Sequence, residues 1–188
     1  MKVEKLAIPE VLLITPPRFG DARGFFSETY NERKLREATG IDQPFVQDNH
    51  SLSVERGVIR GLHCQLAPSI QGKLLRCVRG SIWDVAVDAR VGSPTFGKWV
   101  AATLSAENWQ QLWVPGGFVH AFCTLEPNTE VLYKVTAEYD KAAEAGVIWN
   151  DPDIGLPWPI TPEEAILSEK DAILPRLRDA GTLFTYEG

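Results

Sequence analysis

The chain has 188 residues, 44% hydrophobic and 23% charged, and a formal net charge of −6, which suits one domain, residues 1–188, with a substantial core. The acidic balance argues against nucleic acid as a partner, because phosphate-backbone binders carry a basic excess; a small anion held by a local cluster of Arg and Lys stays compatible with it. No apolar run approaches a membrane span, MKVEKLAIPEV lacks the apolar stretch of a secretory signal, and Cys64, Cys77 and Cys123 read as small buried hydrophobes rather than a disulfide framework, so the cytoplasm is the expected compartment.

In chain order, short β-like runs are predicted at 11–15, 25–30, 45–53, 58–65, 73–79, 81–88, 99–104, 110–114, 120–124 and 129–137. A short helix is expected over 31–39, with Asn31 as N-cap and Gly40 just past its end. Gly80, between two of the runs, reads as a hairpin turn. Thr161-Pro162-Glu163-Glu164 places Pro at the first helical position and Glu at the third, the start of a second short helix. Scattered Gly and Pro with few helices point to an all-β antiparallel sandwich or barrel, a class that often holds ligands between its sheets or at its mouth. In 81–88, Trp83, Val85 and Val87 share one face, while Ile82, Asp84, Ala86 and Asp88 share the other. The two aspartates therefore need water or partners.

The segment from Gln47 to Gln65, QDNHSLSVERGVIRGLHCQ, carries the densest chemistry. Gln47, Asn49, Ser51, Arg60, His63 and Gln65 give two short strands a polar, inward-capable set. His63 is one of three histidines in the chain, and imidazole moves protons near neutral pH. Strict alternation would put Arg60 and His63 on opposite faces. For both to serve one pocket the strand must bulge at Gly61, a residue that permits it. Pro115-Gly116-Gly117-Phe118-Val119-His120 has the spacing of the second cupin metal motif, but His63-Cys64-Gln65 stands where a first motif would need two histidines. That counts against a metal. Tyr133 and Tyr139 could supply a proton donor and a stacking ring, an inward Lys73 could face an oxyanion, and Asp171 could orient His63.

Several segments together carry a family resemblance: DARGFFSE from Asp21 to Glu28, QDNHS from Gln47 to Ser51, RGLHCQ from Arg60 to Gln65, and GKL from Gly72 to Leu74. DVAVDAR from Asp84, SPTFG from Ser93, PGGFVH from Pro115, YKVT from Tyr133, WNDP from Trp149 and LSEKD from Leu167 complete the series. The chain resembles the dTDP-4-dehydrorhamnose 3,5-epimerases, cupin-like sugar-nucleotide isomerases, over nearly its whole length. The resemblance implies an antiparallel jelly roll with a few short helices, a homodimer, no metal and no nicotinamide cofactor, and dTDP-4-keto-6-deoxy-D-glucose as substrate. It implies His63 as general base paired with Asp171, Tyr133 as acid, and Lys73 at the 4-keto oxygen. Arg23, Glu28, Gln47, Asn49, Arg60, His120, Tyr139, Glu144 and Lys170 are the implied substrate contacts.

Two positions depart from the family pattern: Ala121, where a glycine is usual, and Cys64, where an aromatic is common. Neither touches the implied proton carriers, but both bear on pocket shape. Rival readings are a mono-epimerase or ketoisomerase on a related dTDP-deoxysugar, and a non-catalytic sugar-nucleotide-binding jelly roll.

Overall fold

Two antiparallel sheets packed face to face form the body of the protein in the computed structural model, which describes residues 1–187. The six-stranded sheet runs in the order β1 (Lys2–Lys5), β2 (Leu12–Thr15), β11 (Gln111–Val114), β7 (Lys73–Arg79), β13 (Thr129–Val135) and β5 (Gln47–Ser53). The five-stranded sheet runs β10 (Trp99–Ser105), β8 (Ser81–Asp88), β12 (Phe118–Thr124), β6 (Ile59–Gln65) and β14 (Glu144–Gly146). Two small pairs complete the set: the antiparallel β3 (Phe19–Asp21) and β4 (Gly24–Phe26), and the parallel β9 (Arg90–Val91) and β15 (Phe184–Thr185). This is the expected all-β architecture.

The alternation of strand residues sorts them into layers. Leu75 and Cys77 of β7, Ile82 and Ala86 of β8, Leu104 of β10, Leu112 of β11 and Phe122 of β12 meet between the sheets. Leu75, Ile82, Leu104 and Leu112 are at most 1% exposed, and burial of each such side chain stabilises by about 1.5–3 kcal/mol. The other face of β8 is buried too. Val85 and Val87, with Val119 and Ala121 of β12, pack under Val147, Ile154, Leu177 and Phe184 of the C-terminal segment. That segment is stapled beside β6 by Ile59 N–H to Ile166 O (3.0 Å) and Ile166 N–H to Gly57 O (2.9 Å).

The first helix forms as expected. Helix α1 (Glu32–Thr39) is capped by Asn31, whose side chain accepts from Lys34 N–H at 3.1 Å, and it ends at Gly40 with φ 77°. Leu35 seats it on Leu12, Ile14, Leu74 and Trp113, on the outer face of the six-stranded sheet.

Three expectations are corrected. Gly80 is not a hairpin turn: β7 and β8 lie in different sheets, and Gly80 (φ 73°) carries the chain around the corner between them. One intervening residue is too short for a two-residue hairpin loop. A Cβ at Gly80 would also collide with the Thr129 side chain. The capping box at Thr161 and Glu164 exists, but Pro162–Glu164 makes a single 3-10 turn and no longer helix, because the chain leaves it at once in an extended conformation at Ala165. The run at 25–30 is a strand only in β4, Gly24–Phe26; the chain then leaves it to enter the helix cap.

Candidate active site

A cavity of about 500 Å³ opens between the sheets, and both contribute to its wall. His63, Arg60 and His120 reach it from β6 and β12 of one sheet. Lys73, Tyr133 and Ser51 reach it from β7, β13 and β5 of the other.

Arg60 and His63 share the cavity because β6 bulges. His63 pairs with His120, and Arg60 pairs with Phe122, so three steps along β6 match two along β12. Gly61 (φ 128°) sits in the bulge, where a Cβ would strike the His120 carbonyl and the Ala121 side chain. Ala121 therefore presses on this bulge; it is fully buried and does not line the cavity. Cys64 is likewise buried on the far side of β6, against the C-terminal layer.

His63 is tied to the C-terminal segment. Its Nε2 lies 2.6 Å from Asp171 Oδ1, which leaves Nδ1 as the basic nitrogen of the ring. Asp171 is 4% exposed. Burial pushes its carboxyl up, but the bond and charge of His63, the Gly61 N–H and the Ser168 hydroxyl outweigh this and hold it below the usual carboxylate range. It remains a charged orienting group through neutral pH.

Lys73 donates to the His63 carbonyl at 3.3 Å and forms no ion pair among the described residues. Burial pushes its ammonium below the ordinary lysine value; Cys64, Asp84 and Glu144 partly offset this. Tyr133 is half-buried, and burial pushes its phenol up against the opposing pull of Arg60. Arg60 is steadied across the gap by Ser53 Oγ (3.3 Å) and Leu52 O (3.2 Å), and it too has no carboxylate partner among the described residues, so its charge is available to an anion. His120 is 6% exposed, with Nε2 2.8 Å from Asp84 Oδ1. Asp84 thus has the partner that the alternation of β8 demanded.

The remaining candidates divide into two groups. On edge strand β5, Gln47 and Asn49 turn inward while Asp48, His50 and Leu52 face out. Gln47 Nε2 donates to Asn49 Oδ1 at 2.8 Å, and Tyr139 N–H donates to Gln47 Oε1 at 2.9 Å. Tyr139 OH donates to Glu144 Oε2 at 3.1 Å, and Lys170 pairs with Glu144. Burial pushes the Glu144 carboxyl up, but Lys170 and Tyr139 outweigh it and hold it low. These five side chains form a connected rim beside the cavity, which Lys170 also lines. Arg23 and Glu28 stand apart. Arg23, on the exposed hairpin β3–β4, pairs with Asp21 at 2.6 Å, and Glu28 pairs with Lys34 at 2.9 Å; neither lines the cavity.

The three histidines do not converge. His50 is on the outer face of β5, 2.9 Å from Glu130. Ser168, which lines the cavity, and Asp84, which stands behind His120, carried no role in the sequence reading. Ser51, expected in the inward polar set with Gln47 and Asn49, does line the cavity.

Comparison with known proteins places the chain among sugar-nucleotide isomerases. The family model described as dTDP-4-dehydrorhamnose 3,5-epimerase matches residues 5–179. The chain is 52% identical over 186 residues to the dTDP-4-dehydrorhamnose 3,5-epimerase of Sinorhizobium fredii, covering 99% of this chain and 94% of that one. A more distant relative, the dTDP-4-dehydrorhamnose 3-epimerase of Streptomyces niveus, is 39% identical over 190 residues, covering 99% and 90%. The crystal structure of dTDP-6-deoxy-D-glucose-3,5-epimerase from Legionella pneumophila in complex with dTDP-4-keto-L-rhamnose has a TM-score of 0.94 and 41% identity, covering 100% and 99% of the two chains.

Proposed function

The chain belongs to the dTDP-4-dehydrorhamnose 3,5-epimerase family, and from that premise we propose that it epimerises C3 and C5 of dTDP-4-keto-6-deoxy-D-glucose to give dTDP-4-keto-L-rhamnose. One observation carries the assignment to this site: an imidazole from one sheet and a phenol from the other line the same cavity, with an ammonium beside them.

The chemistry follows from the ketone. A carbonyl at C4 acidifies the hydrogens on C3 and C5, because the electron pair left behind delocalises onto the oxygen as an enolate. Nδ1 of His63 takes the proton from one face, with Asp171 fixing the ring. Lys73 stabilises the negative charge gathering on the C4 oxygen, a charge absent from the ground state. Tyr133 returns a proton to the carbon from the opposite face, which inverts the centre. The imidazolium then loses its proton to water and the phenolate regains one, restoring the enzyme. Burial keeps Tyr133 protonated above its usual range, as an acid requires. Arg60 supports binding of the diphosphate, and the rim of Gln47, Asn49, Tyr139, Glu144 and Lys170 supports recognition of the rest of the nucleotide.

Proton NMR of dTDP-4-keto-6-deoxyglucose turning over in D₂O tests this reading. Deuterium at both C3 and C5 is the expected result. Deuterium at one carbon makes the protein a mono-epimerase, and deuterium at neither removes the enzyme assignment for this substrate.

The same reading includes a homodimer. Phe19, Phe25 and Phe26 on the β3–β4 hairpin are 62%, 56% and 72% exposed, an apolar patch of the sort that protein interfaces cover. Arg23 on that hairpin does not line this chain's own cavity, and a dimer would let it serve another copy's. Elution from gel filtration at the 20.9 kDa of one chain would remove the dimer. The three cysteines are unpaired and buried, which supports a cytoplasmic setting; no helix among the described residues is long and apolar enough to cross a membrane.

A further inference from the structure

We infer that Asp84 is a positioning residue of the epimerisation site: it fixes the His120 ring so that Nδ1 is an acceptor for a substrate hydroxyl, and it supplies the buried negative charge that faces Lys73. The inference rests on the proposed epimerase reading for its substrate and extends it to a residue behind the cavity wall.

The starting point is a cost. Asp84 lies in the middle of β8, flanked by β10 and β12, and is 0% exposed. One oxygen takes the His120 bond at 2.8 Å; the other is buried with no partner among the described residues. A half-satisfied buried carboxyl is expensive, and native interiors seldom keep one without a use. A hydrophobic side chain of similar size would pack there at lower cost. The position is therefore held for something other than stability.

Its surroundings identify the use. His120 approaches from β12 and sits opposite His63 in the β6–β12 register, and Lys73 of β7 is bonded to the His63 carbonyl, so a chain of neighbours links Asp84 to the ammonium. The charges of Asp84, Cys64 and Glu144 all act to raise the Lys73 value, and Asp84 also acts on Cys77. Lys73 has no carboxylate within ion-pair distance among the described residues, so its N–H groups are not consumed by a salt bridge. Asp84 acts on it through space, in an interior where charge interactions are weakly screened. A direct ion pair would hold the ammonium but blunt it. A carboxyl set behind the wall retains the positive charge and leaves the donors for an enolate oxygen. The bond to His120 settles the second role. With Nε2–H given to Asp84, Nδ1 carries the lone pair, and His120 lines the cavity as an acceptor. His63, by contrast, is committed to Asp171, so the two imidazoles are held by separate carboxyls for separate tasks.

The test is Asp84→Asn, which preserves shape and an oxygen toward His120 but removes the charge. The alkaline limb of kcat/KM should move to lower pH by roughly one unit, the scale of one nearby charge, and kcat at neutral pH should fall by about tenfold, the 1.4 kcal/mol of one such unit. A loss of activity with an unshifted limb is what a merely structural residue gives, and it overturns the charge role, as does unchanged activity. Ring ¹⁵N NMR of the wild-type protein is the second readout and needs no variant. A His120 protonated at Nε2 and bare at Nδ1 is expected; the reverse tautomer overturns the positioning role. If Asp84→Asn does not fold, the tautomer decides. A wild-type protein silent toward the keto-sugar defeats the reaction proposed above, yet the same spectrum still decides whether Asp84 holds the ring.

Discussion

Two histidine–aspartate pairs border one cavity, and they are built differently. His63 lies on a bulged strand, its side chain 30% exposed, and its aspartate comes from a 3-10 turn of the C-terminal segment, surrounded by donors. His120 and Asp84 sit on adjacent strands at the middle of a sheet, with side chains 7% and 0% exposed and one carboxyl oxygen left without a partner. The difference teaches how one chemical pair takes two jobs. A base must exchange protons with water each turnover, so it needs an accessible ring and a carboxylate already satisfied. A fixed electrostatic element needs neither, and gains strength from being dry.

The first way to break this contrast is to remove the base. His63→Ala should lower turnover by about two to four orders of magnitude, the usual range for a general base, with the fold intact by circular dichroism. Near-normal turnover would return His63 to the role of an ordinary hydrogen-bonded core histidine. Removing the acid sharpens the same point. Tyr133→Phe should cost about 10²–10⁴ in epimerisation while leaving deuterium exchange without inversion, because His63 can return the proton it took. Loss of exchange and inversion in equal measure would mean that the phenol is not the group on the opposite face.

Lys73→Met should have the next largest effect, about 10²–10³ in kcat, the range seen when one oxyanion donor is lost. In the wild-type enzyme the alkaline limb should belong to Lys73 rather than Tyr133, because burial moves the ammonium down and the phenol up from their ordinary values. Activity is therefore lost first as Lys73 gives up its proton. Lys73→Arg, which stays charged at high pH, should push that limb upward; an unmoved limb would assign it to another group.

Much of this arrangement was legible in the residues, and what was not has physical reasons. The boundary between β7 and β8 was readable because Gly80 separates two strand-like runs. The bulge at Gly61 was readable from a conflict, since alternation alone separates Arg60 from His63. Strands β1, β3, β9, β14 and β15 are two to four residues long and too short to show any period. The corner at Gly80 was misread because a turn residue between two strands says nothing of whether they pair or change sheets. The Asp84–His120 bond depends on the register of β8 against β12, where His120 sits opposite Ala86 and Phe122 opposite Asp84. Cross-strand register is set by tertiary packing and leaves no mark on either segment alone. Arg23 and Glu28 came from resemblance only, and nothing local in their segment indicated that they would lie away from this chain's own cavity.

The smallest effect expected is on stability, and it isolates the satisfied carboxylate. The folded protein holds Asp171 below the usual carboxylate range, so the unfolded chain binds its proton more readily. The resulting stabilisation is present in full above the unfolded value and disappears as pH falls through the folded one. Asp171→Asn should therefore be less stable than wild type at neutral pH by about 1.5–3 kcal/mol, the scale of a hydrogen bond to a charged group. The gap should narrow as pH falls below the ordinary carboxylate range. Thermal melts of both proteins across that interval give the answer. A gap that stays constant with pH would show that Asp171 contributes shape rather than charge, and His63 would then lack the charged partner that sets it apart as the base.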